Sequence, residues 1–359
     1  MPKSAYIHIP FCKSKCKYCS FVSFDKPELI TGYVFSLMKE ISDEYKGEKL
    51  NTLYFGGGTP SILPVNFISK IINKFNYTEN PEITLEVNPD DANEKYFEEL
   101  LKSGVNRLSI GSQTFNDDIL IEIGRRHNST QIISAVNMAK SAGFENISLD
   151  LIYGLPEQNI NNLKIDLERL IELDVNHIST YGLKIEEGSV YYKKLPKNIP
   201  DEDIQADMYE LINKTLENNG FERYEISNFS KTGFCSRHNL NYWNNEEYYG
   251  FGVAAHGYVD NIRYSNFCTI EKYMENPSNH EFGHFVTSQE KLEEEIFLGF
   301  RKASGIDVNK INEKYAINFE EKYKKVLDKY EDYIIKTPIG YTFNLKGVLI
   351  SNVILSEFI

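Results

Sequence analysis

The stretch Cys12-Lys13-Ser14-Lys15-Cys16-Lys17-Tyr18-Cys19 places three thiols within eight positions. Soft thiolate ligands select zinc, copper(I) or an iron–sulfur cluster. A structural zinc site needs a fourth ligand, usually from a second pair of cysteines or histidines, and no such pair follows. A [4Fe–4S] cube bound by three cysteines keeps one iron without a protein ligand. The spacing therefore favours a reactive cluster bound by Cys12, Cys16 and Cys19 over a partial zinc site or three unrelated buried cysteines.

The residues before this loop form an apolar run, residues 5–11, which predicts a strand that ends at the first cysteine. The CxxxCxxC spacing, with the aromatic Tyr18 before the last cysteine, resembles the opening of radical S-adenosylmethionine (SAM) enzymes. The longer string YIHIPFC, residues 6–12, resembles one branch of that superfamily. The branch contains the oxygen-independent coproporphyrinogen III oxidases and their relatives, the HemW-type heme chaperones.

Length and charge limit the classes of function. The 359 residues suffice for one large domain and a smaller one. The net charge is −13 and no long basic run occurs, which argues against broad binding of nucleic acid or anionic membranes. No apolar stretch reaches transmembrane length, and the first strand begins too early to leave room for a signal peptide. Unpaired cysteines and an oxygen-sensitive cluster predict a cytoplasmic protein without disulfides.

Apolar runs and helical periodicity alternate along the first two-thirds of the chain, which predicts a parallel sheet with helical crossovers. Polar or glycine-rich residues follow successive strands, at the edge where parallel α/β folds carry their active sites. The resemblance implies an open (β/α)6 partial barrel. The predicted strands are 5–11, 52–55, 83–87, 107–111, 147–153 and 177–183, and the predicted helices are 28–45, 64–75, 94–103, 117–123, 130–142, 160–173 and 204–218.

Several residues at these strand ends are candidates for a cofactor pocket. Three consecutive glycines let a backbone approach a ligand closely, although a tight turn is the simpler interpretation. Asp150 lies in an apolar strand, and a buried carboxylate needs a hydrogen-bond partner or a ligand. Glu86 and Tyr6 have simpler interpretations as a solvated strand residue and a core tyrosine, and Arg126 as a surface residue. The resemblance implies that the SAM pocket is formed by Tyr6, Tyr18, Gly57, Gly58, Thr59, Glu86, Gln113, Arg125 and Asp150.

Residues 232–287 are rich in aromatics and glycine, and they follow a predicted barrel domain of residues 1–231. The combination can line a pocket for a large planar ligand or pack as a tightly turned β segment on the barrel. His238-Asn239-x-x-Tyr242-Trp243 resembles the HNxxYW signature of the heme chaperones. His238 is therefore a candidate axial heme ligand, with His256 and Cys235 as alternatives, and Cys268 is interpreted as a buried thiol.

Residues 288–359 show three amphipathic helices, 289–302, 307–314 and 319–332, before a hairpin strand at 340–346. This order resembles a winged-helix module and the C-terminal domain of the family. Because lysine and glutamate are roughly balanced and form no basic face, DNA binding is not expected.

Three functions are compatible with these patterns. The first is a protein that binds heme and delivers it to acceptor proteins while keeping the cluster and SAM, with an electron donor of flavodoxin or ferredoxin type. The second is an oxygen-independent oxidase that converts coproporphyrinogen III to protoporphyrinogen IX. The third is a cluster-bearing electron-transfer or sensing module. The resemblance favours the chaperone, because the oxidases carry a further cysteine where this chain has Phe21 and an N-terminal arm that it lacks.

The thiol spacing predicts that the purified chain turns brown when iron and sulfide are supplied under argon. Alanine at Cys12, Cys16 or Cys19 should abolish the visible absorption, because each substitution removes one cluster ligand. Cys268→Ala is the matched control and should keep the colour. A colourless wild-type protein after reconstitution would contradict the cluster.

Overall fold

The computed structural model describes residues Met1–Ile359 and is built on one large mixed sheet and two small antiparallel sheets. The strands are β1 (Ser4–Ile9), β2 (Lys49–Gly57), β3 (Asn76–Val87), β4 (Arg107–Gln113), β5 (Asn146–Tyr153), β6 (His177–Gly182), β7 (Glu222–Arg223), β8 (Asn228–Ser230), β9 (Tyr249–Phe251), β10 (His256–Val259), β11 (Ile262–Asn266), β12 (His280–Phe285), β13 (Ile306–Asp307), β14 (Ile334–Lys336) and β15 (Gly340–Phe343).

Helices connect most of these strands, and none of them is long and apolar enough to cross a bilayer. The α-helices are α1 (Ile30–Glu44), α2 (Val65–Ile72), α3 (Glu94–Lys102), α4 (Asp117–Glu122), α5 (Ser129–Ser141), α6 (Ile160–Glu172), α7 (Val190–Lys193), α8 (Glu202–Asn218), α9 (Arg237–Trp243), α10 (Ile270–Glu275), α11 (Ser288–Gly299), α12 (Val308–Tyr315), α13 (Phe319–Lys322), α14 (Lys324–Lys329), α15 (Leu345–Leu349) and α16 (Ser351–Leu355). Short 3-10 turns occupy Pro27–Leu29, Pro60–Ile62 and Pro89–Asp91.

The large sheet has the strand order β7-β8-β6-β5-β4-β3-β2-β1-β9. Strands β1 to β6 are parallel and stand in chain order, as expected when a helix returns the chain to the same end of the sheet. Their apolar residues are fully buried, among them Ile7, Leu53, Phe55 and Leu85. The predicted α/β fold with six parallel strands is confirmed.

Short polar side chains define where the crossover helices begin. Asn128 and Asn159 each accept a backbone N–H at the start of α5 and α6, and each forms a reciprocal capping box with the residue three positions on. Because these caps satisfy N–H groups that have no partner within the helix, they fix the helix starts within a residue or two of the predicted positions.

The segment after the parallel strands contributes to the large sheet, which the sequence did not predict. Strand β9 pairs in parallel with β1, so Tyr6 stands opposite Gly250. The segment also contains helix α9, where a β segment was the simpler expectation. The helix forms because the Ser236 hydroxyl caps it and Glu82 of β3 accepts the backbone N–H groups of Arg237 and His238. Strands β10, β11 and β12 form an antiparallel sheet beyond it.

The C-terminal residues pack around a second hydrophobic core that includes Phe300, Phe319, Phe343 and Phe358. It is covered by helices α11 to α16 and by the small sheet of order β13-β15-β14, in agreement with the expected helical domain with a wing. Buried residues of the connecting segment, such as Phe251 and Tyr273, belong instead to the first core. The domain boundaries at residues 231 and 287 remain predictions.

Glu40 is a fully buried carboxyl that ties the connecting segment to helix α1. It accepts hydrogen bonds from Gly252 N at 2.8 Å, Asn266 Nδ2 at 2.5 Å and the Tyr273 hydroxyl at 2.5 Å. Burial raises the pKa of this carboxyl to about 8, although the three donors act in the opposite direction.

The raised pKa of Glu40 predicts a pH-dependent stability. In the folded protein this group holds its proton up to about pH 8, whereas it loses it near its ordinary value in the unfolded chain, so stability falls as pH rises through this window. One such group changes the free energy of unfolding by at most about 1.4 kcal/mol per pH unit. The free energy of unfolding of Glu40→Gln, relative to wild type, should therefore increase between pH 5 and pH 8 in anaerobic denaturant titrations.

The control for this measurement is Glu357→Gln. Glu357 is exposed, and its hydrogen bond with Lys329 lowers its pKa. The difference in free energy of unfolding between Glu357→Gln and wild type should therefore stay constant between pH 5 and pH 8. A Glu40→Gln difference that is equally constant would contradict the assignment of a protonated carboxyl.

Candidate functional site

A cavity of about 510 Å³ opens where the parallel strands end. Every predicted pocket residue except Tyr6 and His238 lies on its lining, together with the three cysteines. Because β1 to β5 are parallel neighbours, residues far apart in the chain meet at this one edge of the sheet. The lining residues that the sequence predicted are Cys12, Cys16, Tyr18, Cys19, Gly57, Gly58, Thr59, Glu86, Gln113, Arg125 and Asp150.

The cysteine loop is held at both ends by backbone hydrogen bonds. Cys12 N donates to Phe24 O at 3.1 Å, and Lys17 N donates to Ile123 O at 2.9 Å. Within the loop, Cys19 N donates to Cys16 O at 3.2 Å. All three cysteines are free and partly exposed, so their thiols remain accessible from the cavity.

The three thiols line one cavity, and no group of three or more His, Cys, Asp or Glu side chains is gathered as ligands of a single ion. A [4Fe–4S] cluster binds each thiolate at a different iron, so it does not require its cysteines to meet at one point. Burial raises the pKa of the Cys12 and Cys19 thiols, and the neighbouring cysteines add to this by charge repulsion. A bound metal cation would instead lower the pKa of these thiols and favour their thiolate form.

The glycine loop after β2 cannot accept side chains. Gly57 has φ of +112°, and a Cβ there would stand 2.6 Å from the imidazole of His8. A Cβ at Gly58 would stand 2.7 Å from the carbonyl oxygen of Phe11. The glycines therefore let this stretch lie directly against β1 and the start of the cysteine loop, whereas the close approach to a ligand expected from the sequence remains a prediction.

Glu86 extends from β3 into the same cavity and is held by its neighbours on β2. The Tyr54 hydroxyl donates to Oε1 at 2.9 Å, and Gly57 N donates to Oε2 at 3.2 Å. Burial and the nearby charge of Asp150 together raise the pKa of Glu86 to about 7, against the opposing effect of the hydrogen bonds from Tyr54 and Gly57. The carboxyl can therefore gain or lose a proton near neutral pH.

Asp150 lines the cavity from β5, two residues nearer the strand end than Ser148, which is in register with Ser109 and Glu86. Its two carboxylate oxygens accept from the Ser109 hydroxyl at 3.1 and 3.2 Å. Burial raises its pKa, and hydrogen bonds from serine hydroxyls and the charges of Arg107 and Arg125 oppose the shift. The prediction that this carboxylate needs a hydrogen-bond partner agrees with the structure.

Gln113 and Arg125 also lie on the cavity lining. Gln113 has φ of +66° at an irregular position in the pairing of β4 with β5. Arg125 reaches the cavity from the loop after α4. It donates to Asn88 Oδ1 at 2.5 Å and to Gly111 O at 2.7 Å, and it approaches Cys16 Sγ at 3.7 Å. Its guanidinium thus brings positive charge beside the cysteine loop.

The polar lining residues that sequence reasoning missed include Tyr54, Asn88 and Ser109. Tyr54 and Ser109 hydrogen-bond the two carboxylates, and Asn88 binds both Arg125 and the Thr59 hydroxyl. A signal was present for Ser109, which lies two residues before the lining residue Gly111 on β4 and so shares its face of the strand. Tyr6, by contrast, packs behind the cavity and hydrogen-bonds His8 at 3.1 Å.

His238 lies outside this cavity. It is on helix α9, which packs against the amino-terminal halves of strands in the large sheet. Its Nδ1 is 2.8 Å from the Thr52 hydroxyl, and its Nε2 is 2.8 Å from the Tyr242 hydroxyl. The ring is 1% exposed and stacks on Tyr54 at 5.0 Å between centroids. Because both nitrogens have partners, this conformation does not offer the open axial ligand that the sequence suggested.

The two alternative heme ligands differ in their access. His256 is exposed, whereas the Cys235 thiol is 3.2 Å from the Ser230 hydroxyl in a partly buried position. Cys268 is exposed, so its interpretation as a buried thiol was wrong. It lies in the turn before α10, where no core element covers it.

Comparison with known proteins identifies the class of this fold and site. The family model described as the Radical SAM superfamily matches residues 6–194, which include the whole cysteine loop and the strands that line the cavity. A second model, the HemN C-terminal domain, matches residues 286–333. The chain is a member of the radical SAM superfamily.

Within the superfamily the chain belongs to the family of the heme chaperone HemW. It is 41% identical to the heme chaperone HemW of Lactococcus lactis over 336 residues, covering 90% of this chain and 87% of that protein. It is 39% identical to the Bacillus subtilis protein of the same name, covering 90% of each chain. The structure of Escherichia coli coproporphyrinogen III oxidase (HemN) shares the fold, with a TM-score of 0.87, 21% identity and coverage of 99% of this chain and 90% of that one.

The contact between Gly57 and His8 predicts that Gly57→Ala disturbs the cavity. Gly47→Ala is a matched control, because Gly47 also has a positive φ, of +93°, but a Cβ there meets only Asn76 at 3.9 Å. The left-handed backbone costs either alanine roughly 1–2 kcal/mol. Gly57→Ala should additionally weaken SAM binding at least tenfold in anaerobic calorimetry, whereas Gly47→Ala should bind SAM as wild type does. Equal SAM affinities for the two variants would contradict the close approach.

Proposed function

We propose that the chain binds a [4Fe–4S] cluster and SAM in the cavity at the strand ends, and that it binds heme and delivers it to acceptor proteins. The observation that carries this proposal is the 41% identity to a heme chaperone HemW over 90% of the chain. The cavity supports the first half, because three thiols, a glycine loop and two half-buried carboxyls line its volume of about 510 Å³.

The residues of the cavity divide into two groups under this proposal. Cys12, Cys16 and Cys19 bind the cluster. Gly57, Gly58 and Thr59 supply a backbone edge against which the amino group of SAM lies. Tyr18 is the aromatic of the cysteine loop on the lining, and Tyr6 supports the pocket from behind through its contacts with His8 and Gly56.

The polar wall orients the rest of the cosubstrate. The Glu86 carboxyl on β3 is held by Tyr54 and Gly57, and the Asp150 carboxyl on β5 is held by Ser109. Both carboxyls present hydrogen-bond acceptors to the cavity. Gln113 and Arg125 face them, and the guanidinium of Arg125 supplies the positive charge that a carboxylate ligand requires. When bound, the cluster and SAM supply reductive carbon–sulfur bond cleavage, which a water-poor pocket protects from side reactions.

Heme binding and delivery rest on the family. The chain carries the HNxxYW motif and has Phe21, which is 64% exposed on the cavity lining, at the position where the oxidases have a further cysteine. We also propose an electron donor of flavodoxin or ferredoxin type and separate heme-acceptor proteins as partners. Because Phe21 leaves the cysteine loop with three thiols only, it favours the chaperone over the oxidase alternative.

A heme titration of the anaerobically reconstituted protein tests the proposal. We expect a shifted Soret band that saturates at a defined stoichiometry, because a specific site places the iron in a protein environment that differs from water. Transfer of the bound heme to a heme-free acceptor protein, followed by absorption, should then be faster than spontaneous dissociation. An unaltered free-heme spectrum would contradict the chaperone function.

The same preparation separates the alternative functions. With SAM, a reductant and coproporphyrinogen III, the chain should form no protoporphyrinogen IX. Formation of that product would instead support the oxidase. If the chain neither binds SAM nor shifts the heme spectrum, only an electron-transfer or sensing role would remain.

A further inference from the structure

The structure contains a second cavity, of about 580 Å³, that the cluster site does not use. It lies where helix α9, the β10–β12 sheet, helix α11 and the carboxyl-terminal Ile359 meet. This volume is within the range of pockets that enclose cofactor-sized ligands. Its apolar lining includes Tyr242, Tyr248, Phe297 and Leu298.

This cavity adjoins the HNxxYW motif through Tyr242. The Tyr242 ring faces the cavity and packs edge-on against Tyr248 at 4.6 Å, while its hydroxyl is 2.8 Å from Nε2 of the buried His238. The motif therefore presents an aromatic ring, and not its histidine, to this open space. Flat aromatic rings beside a wide cavity suit a planar apolar ligand.

Most histidines of the chain are unsuitable as axial ligands because their nitrogens are already engaged or buried. His8, His177 and His238 each have partners on both ring nitrogens. His127 is 4% exposed. His256, His280 and His284 are exposed, and each keeps a ring nitrogen without a hydrogen bond; Nδ1 of His280 binds Asn266, and its Nε2 lies 3.6 Å from Glu44. Of these three histidines, only His284 lines the second cavity.

His284 has the environment of a metal-binding imidazole. It lies on β12 with 48% of its side chain exposed, and its Nε2 is 2.8 Å from Glu290 Oε1. Histidines that bind metals commonly donate their second N–H to a carboxylate, which fixes the tautomer and makes the free nitrogen a stronger donor. Glu290 is itself fixed by the capping box of α11, where it binds Thr287. Nδ1 of His284 remains free.

We propose that this cavity is the heme site and that His284 is the axial ligand of the heme iron. The inference rests on the proposed heme-binding function. Tyr242, Tyr248 and Phe297 contact the porphyrin ring, and the Glu290 carboxylate stabilises the imidazole when it binds ferric iron. The exposed Phe282, whose ring is parallel to His284 at 6.5 Å, extends the apolar surface at the rim.

The charges around the cavity determine the orientation of the ligand. Glu294 is neutralised by Arg263, which donates two hydrogen bonds to it at 2.7 and 2.8 Å. An adjoining cavity of about 490 Å³ shares Asn245 and Glu246 with the first and carries Lys3 and Lys291. The propionates of the porphyrin therefore point toward these lysines, because carboxylates there find cationic partners instead of the acidic side of α11.

Titration of ferric heme into His284→Ala, under argon and with the full-length protein, tests the proposal. The variant should bind heme at least tenfold more weakly than wild type and lack the Soret maximum of the imidazole-ligated form. Added imidazole should restore that maximum, because it replaces the missing ligand without repairing the fold. His256→Ala is the matched control and should retain the wild-type spectrum and affinity.

A second variant separates ligation from folding. Glu290→Gln keeps the capping box of α11, since glutamine also serves at this position, but removes the negative charge behind His284. It should bind heme with a higher reduction potential than wild type, because ferric iron loses stabilisation. A wild-type spectrum and affinity in His284→Ala, or loss of the signal only in His256→Ala, would overturn the assignment. Failure of the wild-type protein itself to bind heme would overturn the proposed function.

Discussion

The parallel register of β1 to β6 is the constraint on which the proposed cluster site depends. Each strand starts at the same edge of the sheet, so its last residues reach the same opposite edge. Cysteines from residues 12–19, a glycine loop near residue 57 and carboxyls at positions 86 and 150 meet in one cavity only because of this alignment. A shift of one residue in any strand would turn its polar side chain to the helix-covered face.

The same sheet organises a second row of contacts nearer the strand starts. Ser4, Thr52 and Glu82 stand side by side on β1, β2 and β3, and all three bind helix α9. His238 of that helix stacks on Tyr54, whose hydroxyl binds Glu86 in the cluster cavity. The histidine of the HNxxYW motif is thus part of a continuous set of contacts between the helix and the proposed SAM pocket, while Tyr242 faces the second cavity.

Much of the fold and most of the cluster cavity were predictable from the sequence. Alternating apolar runs and helical periodicity are local signals, so β5 and α6 were predicted to within two residues of their observed bounds. Strand β9 was not predicted, because its three residues pair with β1, nearly 250 positions away in the chain. The packing of His238 depends on similarly distant partners. The pattern HNxxYW gives the residue types, but only tertiary contacts decide which of them is buried.

Strand β9 joins the connecting segment to the strand that leads directly into the cysteine loop. Tyr6 pairs with Gly250, and β10 follows β9 after a turn whose backbone is bound by Glu40. Separating the connecting segment from the rest of the protein would therefore break a ladder of main-chain hydrogen bonds and expose one edge of β1 to solvent. The β10–β12 sheet that follows β9 therefore cannot swing as an independent flap. Under the proposed function, heme would be loaded and released while the base of this sheet stays anchored beside the cysteine loop.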